Sequence, residues 1–399
     1  MLSFSNYSIR RLLASLAFLL MSGLAACSTN PSTTTSHEGL TATHIFESAL
    51  LTATWSVPTT TLTPRPPTPT PEPTFTPTVV ITPPEIPGIF QSSLLNRADA
   101  PRAYEEDVCV YLRNRLDPSK AEPGTVVMPI MFHSITDGPA DKIYQISHET
   151  MEWLMRDLKD QDFQVIGMDQ LVGFLYENER IPPRSVILIS DDLHYADYFE
   201  RHFKPFLIEN NGVVVNAWIS KTDPNRQVVQ ENQRLQAEGL VDHQAHGVIH
   251  NINISNLSDE AFIRSELEGS RTAILETFGK PPVAYIWAGG GFTPQAAEIA
   301  LEVGYKVGFT TNPRGPLMYN WVPNSKEKDP NRPALIPEGN VSNPLMVLPR
   351  FWDADASRYI DMVRKIGQDA AAAAQQSRAS ELEYYQIVCQ EIYGEIPAR

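Results

Sequence analysis

From Ser28 to about Ile86 the chain is mostly serine, threonine and proline, densest at Pro64-Arg65-Pro66-Pro67-Thr68-Pro69-Thr70-Pro71-Glu72-Pro73. Proline fixes φ and has no amide hydrogen to donate, so this stretch can be neither helix nor inner strand. It is expected to be a disordered Pro/Thr-rich spacer, rising about 3.1 Å per residue where proline is dense. Any packed core must come after it. Of the 399 residues, 33 are proline, too many for one globular domain. Three segments follow: 1–26, 27–95 and 96–399.

The first segment reads as an export signal. Arg10 and Arg11 precede the apolar run Leu12 to Met21, and small residues follow, which is the order of a signal peptide. The run is short of the ~20 residues a membrane span needs. Leu24-Ala25-Ala26-Cys27 resembles a bacterial lipobox, with cleavage before Cys27 and a lipid on its sulfur. Acyl chains would hold the protein to a membrane with about 0.8 kcal/mol per buried methylene. The expectation is an exported lipoprotein on the extracytoplasmic face of a membrane, with residues 27–95 as its spacer.

Lys and Arg number 32 against 47 Asp and Glu, a net charge of −15, which argues against nucleic acid as a general partner. Three cysteines exclude a disulfide-rich scaffold and a cysteine-rich zinc module. Cys109 and Cys389 lie near the two ends of the third segment. In an oxidising compartment they can be bridged; two buried free thiols are the alternative.

In residues 96–399, strand-like and helix-like stretches alternate. Thr125 to His133, Ser185 to Ser190, Gly212 to Ile219, Leu240 to Ala245, Val283 to Trp287, Tyr305 to Thr310 and Leu345 to Leu348 read as strands. Between them, Met151 to Asp160 has Met151, Leu154, Met155 and Leu158 on one face. Tyr195 to Glu209 and Val228 to Ala237 read as helices, a further helix is capped by Ser258, and another opens at Thr293-Pro294 and stops at Gly304. This alternation predicts a parallel sheet with helices outside. Seven or eight units predict an α/β fold, a distorted (β/α)7–8 barrel whose chemistry sits at the carboxyl ends of its strands.

Three polar clusters fall at those ends. Ser190-Asp191-Asp192 follows Val186 to Ile189, and adjacent carboxylates at the end of a buried strand need a cation or donors. His246-Gly247-Val248-Ile249-His250 carries two imidazoles at i, i+4, a workable ligand spacing; His243 nearby reads as a bystander. His133 ends the first strand. One carboxylate and two imidazoles make a metal site with open positions, and a second carboxylate beside it can serve as a base.

These residues resemble the polysaccharide deacetylases with a NodB-homology domain, carbohydrate esterase family 4, over about Thr125 to Arg350. Ile189-Ser190-Asp191-Asp192-Leu193 is similar to the family's Thr-Phe-Asp-Asp-Gly motif, and His246 to His250 to its His-(Ser/Thr)-x-x-His motif. Pro129-Ile130-Met131-Phe132-His133 resembles the opening strand of the poly-β-1,6-N-acetylglucosamine deacetylase branch. The resemblance implies Asp191 as base, His133 as acid, and Asp192, His246 and His250 as ligands of a divalent metal, Zn²⁺ first, with Co²⁺ or Ni²⁺ as alternatives. It implies an oxyanion-stabilising backbone amide near Gly289 and an acetylated polysaccharide substrate. Trp287, Tyr319 and Trp321 are candidates for stacking on a sugar ring, with core or lid packing as the alternative reading.

The sequence also departs from the family pattern. Leu193 stands where a glycine would take positive φ. Serine replaces the aromatic at position 190, and Gly247 replaces a hydroxyl residue. The third motif has no Arg or Pro to orient Asp191, and Leu348-Pro349-Arg350 lacks the histidine some members use as acid. These departures allow an alternative: a deacetylase-like lipoprotein that binds glycan without cleaving it.

Overall fold

A computed structural model describes residues 82–398, apart from 222–224, 251 and 331. The export signal, Cys27 and most of the spacer lie outside the described residues.

The strands are β1 (Asp99–Arg102), β2 (Val126–Phe132), β3 (Ser134–Thr136), β4 (Gln145–Ser147), β5 (Gln164–Val165), β6 (Arg184–Asp191), β7 (Val214–Trp218), β8 (Val241–Ala245), β9 (Ala284–Ile286), β10 (Val307–Phe309), β11 (Val322–Ser325) and β12 (Phe351–Trp352). The helices between them are α1 (Val108–Leu116), α2 (His148–Asp160), α3 (Met168–Glu177), α4 (Ala196–His202), α5 (Lys204–Asn210), α6 (Arg226–Ala237), α7 (Glu260–Phe278), α8 (Pro294–Val303), α9 (Asp353–Ala356) and α10 (Ile360–Tyr384). The main sheet runs β10-β9-β8-β7-β6-β2-β12 with every pairing parallel, and β5 adds to β6. Among the described residues no helix is long and apolar enough to cross a membrane.

Residues 348–352 draw the sheet towards closure. Leu348 bridges Phe309 at one edge, while Phe351 and Trp352 pair with Ile130 and Met131 at the other. One short segment thus touches both edge strands, giving a distorted barrel and bringing Arg350 across its mouth.

Because side chains alternate across a strand, the two faces separate cleanly. Val127, Ile187, Ile189, Val215, Ala217 and Ile286 pack together in the interior. Val126, Met128, Ile130, Val186 and Leu188 face outward under α2 and α10. Both faces are buried, which is why β2 and the centre of β6, Val186 to Ile189, read as apolar runs. On α2, Met151, Leu154, Met155 and Leu158 are buried, each contributing about 1.5–3 kcal/mol. Ser147 caps this helix through the Thr150 amide.

Several local expectations shift. The helix expected over Tyr195 to Glu209 breaks at Phe203 into α4 and α5, with Pro205 in the first turn of the second. Asp259 caps α7 in place of Ser258. Leu345 to Leu348 is not a strand: residues Pro344–Val347 form a 3-10 turn, opened by Pro344 and capped by Asn343, and only Leu348 bridges β10. The long stretch after Asn312 holds β11, which pairs antiparallel with β1. At the far end, Cys109 on α1 and Cys389 after α10 form a disulfide across a sequence separation of 280.

Candidate metal centre

Strand alternation decides what points into the barrel. With Ile187 and Ile189 interior, Asp191 is interior too, while Ser190 turns outward and its hydroxyl donates to the Tyr198 hydroxyl. Asp192 follows with φ +77 and so leaves the strand direction. The left-handed residue of this turn is therefore the second aspartate, a type that tolerates that region better than most. Leu193 has no need of positive φ and packs instead against the cluster under α7 and α8. Asn216 pins the turn, its Nδ2 donating to Ser190 O (3.0 Å) and Asp192 O (2.9 Å).

The same rule turns Ala245 outward and His246 inward. His246 Nδ1 lies 2.7 Å from the Ile286 carbonyl, which can only accept, so Nδ1 carries the proton and Nε2 is left for an ion. The chain then reverses at Gly247, φ +84. Glu266 of α7, buried beneath this turn, accepts from the Val248 amide (2.8 Å) and the Ile249 amide (3.0 Å) and so sets where His250 emerges. A Cβ on residue 247 would meet Glu266 Oε2 at 2.6 Å, which explains why a hydroxyl residue is absent there.

Asp192, His246 and His250 each offer a ligand atom, and these lie within 4.8 Å of one another. The His250 Nε2 to Asp192 Oδ1 distance is 3.1 Å. Despite this proximity the buried Asp192 Oδ1 accepts no well-aligned hydrogen bond, and a carboxylate oxygen so placed between imidazoles is completed by a cation. One carboxylate and two imidazoles suit a borderline-soft divalent ion. The side chains of Asp192 and His250 are 35% and 34% exposed, so the centre is open to solvent.

Asp191 lies beside this triad, and the residue that orients it was not recognised in the sequence. Arg350 donates from Nη1 to Asp191 Oδ1 at 2.6 Å and from Nη2 to Oδ2 at 3.0 Å, and from Nε to Thr310 O at 2.8 Å. The guanidinium missing from the third motif thus arrives from the closing segment, at the position that lacks the late histidine. The only sequence signal was an arginine in an otherwise apolar stretch. Burial would raise the Asp191 carboxyl, but Arg350, with His133 and His246, outweighs it and holds Asp191 well below the usual carboxylate range. His133 Nε2 lies 3.4 Å from Asp191 Oδ2, and its ring stacks on Trp352, centroids 5.6 Å apart.

The remaining candidates separate from this cluster. Trp287 is fully buried on the outer face of β9, its indole N–H donating to Met346 O, so it cannot stack on a sugar. Leu317 bridges Val127 at the start of β2, so Tyr319 and Trp321 lie at the amino-terminal end of the barrel, opposite the aspartates. Tyr319 stacks on Tyr111, and the Trp321 indole donates to Phe90 O. His243 is buried against Phe278, with its ring nitrogens on Asn232 and Gln236, and burial pushes it down to about 3. Gly289 lies in the turn after β9, with φ +57, and its carbonyl accepts from Arg332.

This fold and site carry a family signature. Residues 182–308 match the family model for polysaccharide deacetylase, a stretch that holds Asp191, Asp192, His246 and His250, and the chain carries a polysaccharide deacetylase domain. Similar solved structures include the deacetylase PplD of Streptococcus pyogenes in complex with acetate, at 17% identity over 58% of this chain and 92% of that one, TM-score 0.45. IcaB from Ammonifex degensii is similar at 14% identity over 62% and 98%, TM-score 0.45. A CE4 family pseudoenzyme from Bacillus anthracis is similar at 12% identity over 45% and 60%, TM-score 0.27. No curated protein matches the chain.

Proposed function

We propose that this protein is a metal-dependent hydrolase that removes acetyl groups from an N-acetylated polysaccharide of the cell envelope or extracellular matrix. The observation that carries the reading is the convergence of Asp192, His246 and His250 beside a second carboxylate held by Arg350. Asp192, His246 and His250 would hold the ion, Zn²⁺ in the first instance. A divalent cation there supplies Lewis acidity, polarising a carbonyl and making water acidic. Asp191, ionised and fixed by two hydrogen bonds, takes the proton of the attacking water. His133, on the far side of Asp191 Oδ2, delivers a proton to the leaving amine nitrogen. A backbone amide near Gly289 is assigned to the developing oxyanion. Export through residues 1–26 and anchoring by a lipid on Cys27 would place the domain, on its spacer, at an extracytoplasmic membrane face.

The non-cleaving alternative rested on Leu193 and on the absent Arg and Pro of the third motif. Asp192 takes the left-handed position, and Arg350 supplies the guanidinium, so neither departure favours it. The test is acetate release from N-acetylated oligosaccharides with Zn²⁺ or Co²⁺ added, with Asp191→Asn as control. Release by the wild type and its loss in the control are expected. Stoichiometric metal without release from any acetylated glycan would favour the binding reading. Retention of stoichiometric zinc after the double change His246→Ala and His250→Ala would overturn the metal assignment.

A further inference from the structure

The strand rule that turns Asp191 and His246 into the barrel applies at its seam as well. β12 pairs in parallel with β2, Phe351 opposite Ile130 and Trp352 opposite Met131. Phe351, Ile130 and Phe132 face outward, so Trp352, Met131 and His133 share the interior face. Trp352 and His133 thus meet at the carboxyl ends of two neighbouring strands. Their rings are within 10° of parallel, with centroids 5.6 Å apart. The indole is itself tethered, its Nε1 donating at 3.1 Å to the carbonyl of Thr311, just past the opposite edge strand β10. His133 has less to hold it. Its side chain is 22% exposed, and Nε2 lies 3.4 Å from Asp191 Oδ2. Among the described residues no well-aligned hydrogen bond fixes either ring nitrogen, so the indole face sets the plane of the imidazole.

We propose that Trp352 is a positioning residue for proton delivery: it keeps the His133 imidazole aimed at the leaving nitrogen. This rests on the hydrolase reading above. In that reaction the water oxygen bonds to the acetyl carbon, and Asp191 takes one of the water's protons. The C–N bond then breaks, its electron pair stays on nitrogen, and that nitrogen takes a proton from His133. The products are acetic acid and a free amine; Asp191 has gained a proton and His133 has lost one, and exchange with solvent restores both. An imidazole that rotates away cannot make this transfer, and a misplacement of about 1 Å costs on the order of 100-fold.

The test compares Trp352→Ala with the wild type on an N-acetylated oligosaccharide and on 4-nitrophenyl acetate, both with Zn²⁺ added. Nitrophenolate departs without a proton, so the ester bypasses His133 and reports on the fold and the metal centre. Trp352→Ala should lower kcat on the oligosaccharide about 10–100-fold with little change in KM, a loss about tenfold or more beyond that on the ester. On the oligosaccharide, the double variant with His133→Ala should be no slower than His133→Ala alone. Trp352→Phe keeps an aromatic face and should recover most of the lost kcat; Trp352→Leu, which keeps apolar bulk without a ring, replaces the alanine variant if that one fails to fold. In metal-free protein the His133 ring-proton resonances should move when the indole is removed. Equal losses on amide and ester, a further loss in the double variant, or unmoved His133 resonances would overturn the inference. A wild type that releases acetate from no glycan would instead overturn the hydrolase reading, and this inference with it.

Discussion

Replacing Arg350 with methionine is the sharpest perturbation of this structure. The Arg350 side chain is 0% exposed and that of Asp191 2%, so the pair sits in the regime of buried charges, where surface ion-pair values do not apply. Two unit charges about 4 Å apart attract by on the order of 4 kcal/mol at an effective dielectric of 20. Arg350→Met leaves a buried carboxylate without its partner and should cost about 3–5 kcal/mol. Asp191→Asn leaves a buried guanidinium and should cost a similar amount. The double variant removes both charges, so its loss should fall well short of the sum of the single losses. The assay is a double-mutant cycle by urea denaturation at pH 7, with chelator present so that metal linkage does not enter. A loss below about 1 kcal/mol for Arg350→Met, or additivity within about 0.5 kcal/mol, would refute the buried-pair argument.

Glu266→Ala should free the Val248 and Ile249 amides and let His250 wander; metal affinity, read by calorimetry, should fall about 10–100-fold with the barrel still folded. Asp353 begins α9, with Oδ2 buried and partnerless, and burial chiefly, with the Asp191 charge adding, pushes its carboxyl up to about 7. Between about pH 4 and that value the unfolded chain has released a proton that the native state keeps, so this group lowers stability as pH rises. Asp353→Asn should flatten that part of the stability profile measured by denaturation between pH 4 and 7; an unchanged slope would show that the carboxyl is ionised in the native state.

Much of the site was legible because its chemistry is local in sequence. Asp191 and Asp192 are adjacent, His246 and His250 are four residues apart, and each group lies at the end of a largely buried strand, so period-two alternation already aims Asp191 and His246 inward. The alternation of strands and helices likewise made the parallel sheet readable. Trp287 misled because the rule that aims Asp191 inward aims that indole outward under α8, which only the register of β9 reveals.

What the sequence by itself determined is the parallel sheet of the distorted barrel and the fall of its acidic and imidazole clusters at the strand ends, since side-chain periodicity and residue spacing act over a few residues. Closure of the sheet by residues 348–352, the delivery of Arg350 to Asp191 across a separation of 159 residues, and the placement of Glu266 beneath the His246 turn were decided by tertiary structure alone. The physical reason is that these contacts depend on which distant strands become neighbours, and a one-residue slip in that pairing would turn each side chain to the opposite face.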